Sequence, residues 1–170
     1  MAKEGVFYSF SGTNCIIRLI GEMKYTTVAV DFGRFIDTLL EKEDITSVVV
    51  DMRECTYIDS TDLGILARIA ITMQGRQAQK PVIVYDTEGV VAKSVQDIGL
   101  GFLFTLVTSY DLENMSFEQV TTGQQTDELL LAKLMVSAHQ NLVDIDETNK
   151  EKFASVISLM ESEIAAMEKP

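Results

Sequence analysis

The run Ser47-Val48-Val49-Val50-Asp51-Met52 constrains this chain more than any other stretch. β-Branched residues in a nearly unbroken apolar row suit a central strand covered on both faces. Thr56-Tyr57-Ile58-Asp59-Ser60-Thr61-Asp62-Leu63-Gly64 then leads into a helix from about Ser60 to Gln77, with Leu63, Leu66, Ile69, Ala70 and Met73 on one face. A buried strand feeding such a helix calls for a right-handed crossover and mostly parallel pairing. The expected class is α/β, a sheet layered with helices.

The rest of the first 120 residues fits that frame. Val6–Phe10 and Cys15–Ile20 flank Ser11-Gly12-Thr13-Asn14 and read as a hairpin. After the turn Gly21-Glu22-Met23-Lys24-Tyr25, a helix fits Val28 to Glu41, with Val28, Phe32, Phe35, Ile36, Leu39 and Leu40 facing inward. Val82–Tyr85 is a short strand, Glu88 to Ile98 a helix that stops at Gly99 and Gly101, and Phe102–Val107 the last strand. The order is β-β-α-β-α-β-α-β over residues 1–120.

Residues 121–170 read as a C-terminal helical hairpin. Thr121-Thr122-Gly123-Gln124-Gln125 is the expected linker, and a helix fits Asp127 to Asn141 with a stripe of Leu130, Leu131, Leu134, Met135 and Ala138. A second runs from Glu147 to about Met167, with Asp146 the candidate N-cap. Phe153, Met160 and Met167 recur every seven residues, with Val156, Ile157 and Ile164 alongside. This pattern packs on the domain or on a second copy, so a homodimer through these helices is one expectation; two heptads are too few for a coiled coil.

The formal charge is −12, with −7 on residues 1–120 and −5 on residues 121–170. A field acidic in both parts repels phosphate backbones and anionic lipid, which argues against nucleic acid or a membrane surface as partner. Cys15 and Cys55 lie far apart, Cys55 in the loop before the serine, and read as reduced thiols. No signal core or membrane-length run is evident, and the expected setting is cytoplasmic.

Ser60 sits at the positive end of a helix, where a hydroxyl is either a cap, worth about 1 kcal/mol, or a modified switch. Catalysis is not expected: the lone histidine, His139, lies on the extension, far along the chain from Ser60, and reads as a surface or packing residue. No nucleophile elbow, phosphate loop or dinucleotide fingerprint occurs, the acidic pairs lack metal-loop spacing, and no cofactor is called for.

The element order, Asp51 with Asp59-Ser60-Thr61-Asp62-Leu63-Gly64, and Asp97-Ile98-Gly99-Leu100-Gly101-Phe102-Leu103-Phe104 together resemble the STAS domain, and more closely bacterial anti-sigma factor antagonists. The resemblance covers about residues 5–115. It implies a non-enzymatic switch whose serine, here Ser60 with Thr61 as the weaker alternative, is phosphorylated by an anti-sigma factor or switch-protein kinase and released by a metal-dependent serine phosphatase. Asp59, Ser60, Thr61, Asp62 and Lys24 would form the partner-facing edge. Two positions depart from the family pattern: Lys24 stands where an aspartate is common, and Asp62 where glycine is. The other reading is a constitutive STAS scaffold or subunit of a larger assembly, with or without a small ligand.

Overall fold

In the computed structural model, which describes residues 3–122 and 127–170, six strands form one sheet in the order β5-β4-β3-β2-β1-β6. Strands β1 (Gly5–Ser11) and β2 (Asn14–Met23) form the expected antiparallel hairpin. Its two-residue turn places Gly12 at φ +61°, a left-handed conformation that suits glycine. Helix α1 (Ala29–Glu41) crosses to β3 (Ser47–Ile58), and α2 (Ser60–Gly75) crosses to β4 (Val82–Val84). Then come α3 (Ala92–Asp97), a 3-10 turn at Leu100–Phe102 and β5 (Thr105–Val107). The pairs β2–β3, β3–β4 and β4–β5 are all parallel, as connections through helices require.

Several boundaries differ from the sequence reading. Strand β3 runs six residues further, to Ile58, because Gly21, Glu22 and Met23 of β2 continue to pair with Cys55, Tyr57 and Ile58 across two register shifts. Cys55 is therefore a strand residue rather than a loop residue. Burial raises its thiol pKa to about 11 and that of Cys15 to about 12, so both stay protonated at neutral pH. Helix α3 starts four residues late, because Gly89 closes a turn on Asp86. Phe102 belongs to the 3-10 turn and is exposed; β5 starts only at Thr105. A further short strand, β6 (Glu118–Gln119), pairs antiparallel with Tyr8 and Phe7 of β1.

The main core lies between the sheet and the helices. Ile17, Leu19, Val48, Val50 and Met52 point into it, and Phe32, Ile36, Leu66, Ile69 and Met73 meet them. On the other face Ile16, Val49 and Val84 are covered by Leu112, Met115 and Phe117 from the segment after β5. Asp51 also points that way and is nearly buried. Its Oδ1 accepts from Arg53 Nε at 2.9 Å, and its Oδ2 from Arg53 Nη2 at 3.0 Å and Arg18 Nε at 3.3 Å. Burial alone would raise its pKa, but the Arg53 hydrogen bonds and the two positive charges outweigh that and hold it below the usual carboxylate value. A depressed acid stabilises the fold above its unfolded pKa and loses that contribution as pH falls through the folded one. Asp51→Asn is therefore expected to cost about 1–3 kcal/mol at pH 7, a deficit that shrinks below about pH 4. Urea midpoints at pH 7 and 3.5 check this.

Helices α4 (Glu128–Ile145) and α5 (Asn149–Met167) form the C-terminal hairpin. Of the expected linker, Thr121 and Thr122 lie in no helix or strand and are exposed, while Gly123, Gln124 and Gln125 lie outside the described residues. Asp146 ends α4 instead of capping α5; Thr148 is the N-cap, and Asp146 Oδ1 accepts from its amide and hydroxyl. Helix α4 is also turned from its expected stripe. Ala132, Ala138, His139 and Leu142 are buried, Leu131, Leu134 and Met135 are partly so, and Leu130 is exposed. Its seam is built of small and polar residues because it packs closely on α2. In α5, Phe153, Val156, Ile157, Met160 and Ile164 are half-buried as the spacing predicts, whereas Met167 is exposed.

Candidate functional site

The site forms where β3 hands over to α2. Asp59 is the N-cap, in extended conformation, and its Oδ1 accepts from the amides of Thr61 at 3.0 Å and Asp62 at 3.1 Å. Its Oδ2 accepts from the Tyr25 amide at 2.6 Å. One carboxylate thus fixes both the start of α2 and the turn between β2 and α1. That turn carries Lys24, which pairs with Glu22 and lies 5.9 Å from the exposed Tyr57 ring. Lys24 is therefore next in sequence to the residue whose amide Asp59 holds.

Ser60 is the first residue of α2 and half-buried. Its Oγ lies 2.8 Å from His139 Nε2 on α4. This overturns the expectation that His139 stands apart from the serine, since the hairpin folds back across α2. The imidazole is 3% exposed, packs 5.1 Å from the Phe153 ring, and has its Nδ1 2.6 Å from the Met135 carbonyl. The carbonyl can only accept, so Nδ1 carries a proton; in a neutral ring Nε2 then accepts from the Ser60 hydroxyl.

A serine against an imidazole raises the question of nucleophilic catalysis. The surroundings do not complete such a centre. The ring is oriented by a backbone carbonyl and not a carboxylate, and the Thr61 and Asp62 amides that could cradle an oxyanion are held by Asp59. Among the described residues no group of three or more His, Cys, Asp or Glu could hold a metal ion. The arrangement positions a hydroxyl.

Thr61 and Asp62 do not share the exposed edge. Thr61 is 2% exposed and Asp62 fully buried. Asp62 precedes Leu66, Ile69 and Met73 at helical spacing, so it lies on the core stripe of α2, with its charge felt at the Cys55 thiol. Neither carboxylate oxygen accepts a hydrogen bond from a donor. Burial first, then the charge of Asp59 and a side-chain hydrogen bond to it, push the Asp62 pKa up to about 8. At neutral pH Asp62 is mostly protonated, so the negative charge beside Ser60 comes from Asp59.

The hairpin covers the remaining face. A Cβ on Gly64 would lie 2.2 Å from the Ala138 carbonyl oxygen, so α2 and α4 touch backbone to backbone there. Asn141 Nδ2 donates to the Gly64 carbonyl at 3.1 Å, and Leu134 covers Gly33 of α1. At the hairpin corner the buried Asn149 donates to the Ile98 and Leu142 carbonyls at 2.9 and 2.8 Å. An open groove of about 270 Å³ lies between Tyr25, Leu131, Met135, Met160 and Met167, with Glu128 and Glu163 on its rim.

Compared with protein families, the chain matches the STAS domain over residues 8–113. It belongs to the STAS domain family. The match spans β1 to β5, including the Asp59–Gly64 motif, and ends before the hairpin. Among solved structures, this STAS chain is similar to the anti-sigma factor antagonist SpoIIAA in its unphosphorylated form, with 12% identity, TM-score 0.49, and 61% of this chain against 87% of that one. It is also similar to the Bacillus cell fate determinant SpoIIAA in the phosphorylated form, with 16% identity, TM-score 0.50, and 61% against 92%. The second likeness shows a shared fold. No curated protein matches the chain. Among the described residues no helix is long and apolar enough to cross a membrane.

Proposed function

We propose that this STAS protein is a phosphorylation-gated binding switch of the anti-sigma factor antagonist type, acting in the bacterial cytoplasm without covalent chemistry of its own. Ser60 is its phospho-acceptor, and its unphosphorylated form holds an anti-sigma factor or related regulator. A switch-protein kinase and a metal-dependent serine phosphatase set its state. The observation that carries this reading is the placement of Ser60: first in α2, on the family motif, half-buried and next to the N-cap Asp59.

A phosphoserine there brings about −1.5 to −2 charges beside Asp59. The Thr61 and Asp62 amides are already taken by Asp59, so they leave the added charge unneutralised. Like-charge repulsion and desolvation across such an interface cost on the order of a few kcal/mol, roughly two decades of affinity.

Intact-mass measurement with site mapping, on protein taken from its native cells under growth and under stress, tests this. A condition-dependent phosphate on Ser60 is expected, and Ser60→Ala should retain a regulator that Ser60→Asp releases. Ser60 unmodified in every condition would instead favour the constitutive scaffold, in which the hydroxyl's bond to His139 is its whole role.

A further inference from the structure

The hairpin that meets Ser60 lies outside the family match, yet it occupies the α1–α2 face next to the motif. We propose that docking of the α4–α5 hairpin and a phosphate on Ser60 exclude each other, so that the regulator-binding form is the hairpin-docked one and phosphorylation undocks the hairpin as it releases the regulator. This rests on Ser60 as phospho-acceptor and adds how that site would be regulated from within the chain.

Geometry makes the exclusion. The Ser60 Oγ is 2.8 Å from a buried imidazole nitrogen, which leaves no room on that side for a phosphoryl group. Helix α4 cannot retreat by a phosphate's width and stay docked. Its Ala138 carbonyl rests on Gly64, Asn141 holds the Gly64 carbonyl, and Leu134 fills the space over Gly33. The Asp59 carboxylate, fixed by three amides, adds repulsion from below.

The hairpin is also lightly held for an element of its length. Helix α4 buries four of its 18 residues and α5 only Asn149 of its 19, whereas α2 buries ten of 16. An element with so few buried apolar contacts belongs to the low-stability end of a fold, where opening is local. Because coupling is reciprocal, whatever favours the docked hairpin disfavours the phosphate to the same degree.

The test uses the full chain with phosphoserine installed at position 60 during synthesis, so it needs no kinase and does not depend on whether cells modify Ser60. Hydrogen exchange is followed by mass spectrometry, with Ser60→Ala as the control that removes the hydroxyl without adding bulk or charge. Amides of residues 132–142 are expected to lose protection at least tenfold in the phosphoserine chain and to change little in Ser60→Ala, while β3 and α1 keep theirs. Unchanged protection in α4 would overturn the proposal. So would increased protection, which would mean that His139 holds the phosphate, and so would loss spread evenly over the sheet. Failure to find phosphate on Ser60 in cells would sink the functional reading and leave this coupling measurable.

Discussion

At pH 8 the Asp62→Asn variant is expected to resist urea better than the unaltered chain, by a few kcal/mol, and at pH 4 the two should nearly coincide. Asp62 is fully buried, its oxygens accept no hydrogen bond, and its pKa is raised to about 8. The sign follows from comparing the two states. In the unfolded chain the carboxyl ionises near 3.8, whereas in the fold it holds its proton to about 8. Stability therefore falls as pH rises between these values and levels off above the higher one. Each pH unit is worth at most about 1.4 kcal/mol, so a rigid dry site would lose on the order of 5 kcal/mol. Water entering the first turn of α2 reduces that to a few. Asparagine keeps the shape and cannot ionise, but it still buries unpaired polar atoms, which is why no gain is expected at pH 4. A difference that does not change with pH would show that Asp62 is not held in a dry environment.

Gly64→Ala carries the second large effect, and its sign discriminates. In a solvent-facing helix the change should stabilise by up to about 1 kcal/mol. Here the added methyl would lie 2.2 Å from the Ala138 carbonyl oxygen, a backbone atom that cannot swing aside. Overpacking of this kind costs about 1–3 kcal/mol and more where backbone is hit. The expected net result is destabilisation of about 2–3 kcal/mol, seen as a lower urea midpoint. Hydrogen exchange should rise across residues 128–145 with β2 and β3 little affected. A stabilised Gly64→Ala protein would mean that α4 does not rest on α2 as described.

The β-branched run 47–52 and the periodicity of α1 and α2 follow from hydrophobic period alone, and the structure places them as expected. The length of β3 does not follow, because Cys55, Thr56 and Tyr57 are held by ladder bonds to β2 rather than by their own propensities. Strand β6, two residues long, exists only because β1 offers it an edge.

At the site, the helix start at Asp59 and Ser60 was readable from the capping pattern, whereas Lys24 was singled out only by the family resemblance. The meeting of Ser60 with His139, 79 positions away, was not readable. The apolar stripe of α4 pointed to Leu130, Leu131, Leu134, Met135 and Ala138; of these only Ala138 is buried, with Ala132, His139 and Leu142 beside it. A signal did exist: a glycine at 64, one turn after Ser60 on the same face, leaves a gap that only a close neighbour fills, and Ala138-His139 supplies a small residue beside the one imidazole. Asp62 was misplaced for a similar reason, since an acidic residue near a helix start is ordinarily solvated and nothing local marks this one as core.

The grip of Asp59 on three amides has a consequence for how Ser60 can be read by other proteins. Both carboxylate oxygens are turned inward, one to Thr61 and Asp62 and the other to Tyr25 in a segment 34 positions upstream. Of the acidic neighbours that stand out in the linear text, Asp59 is thus a structural fastener and Asp62 is buried, so neither is available as a recognition letter. An enzyme that modifies Ser60 must recognise a conformational epitope assembled from two separate stretches of chain. A short peptide copied from residues 54–68 would display the same letters without the shape, and should be a poor substitute for the folded surface.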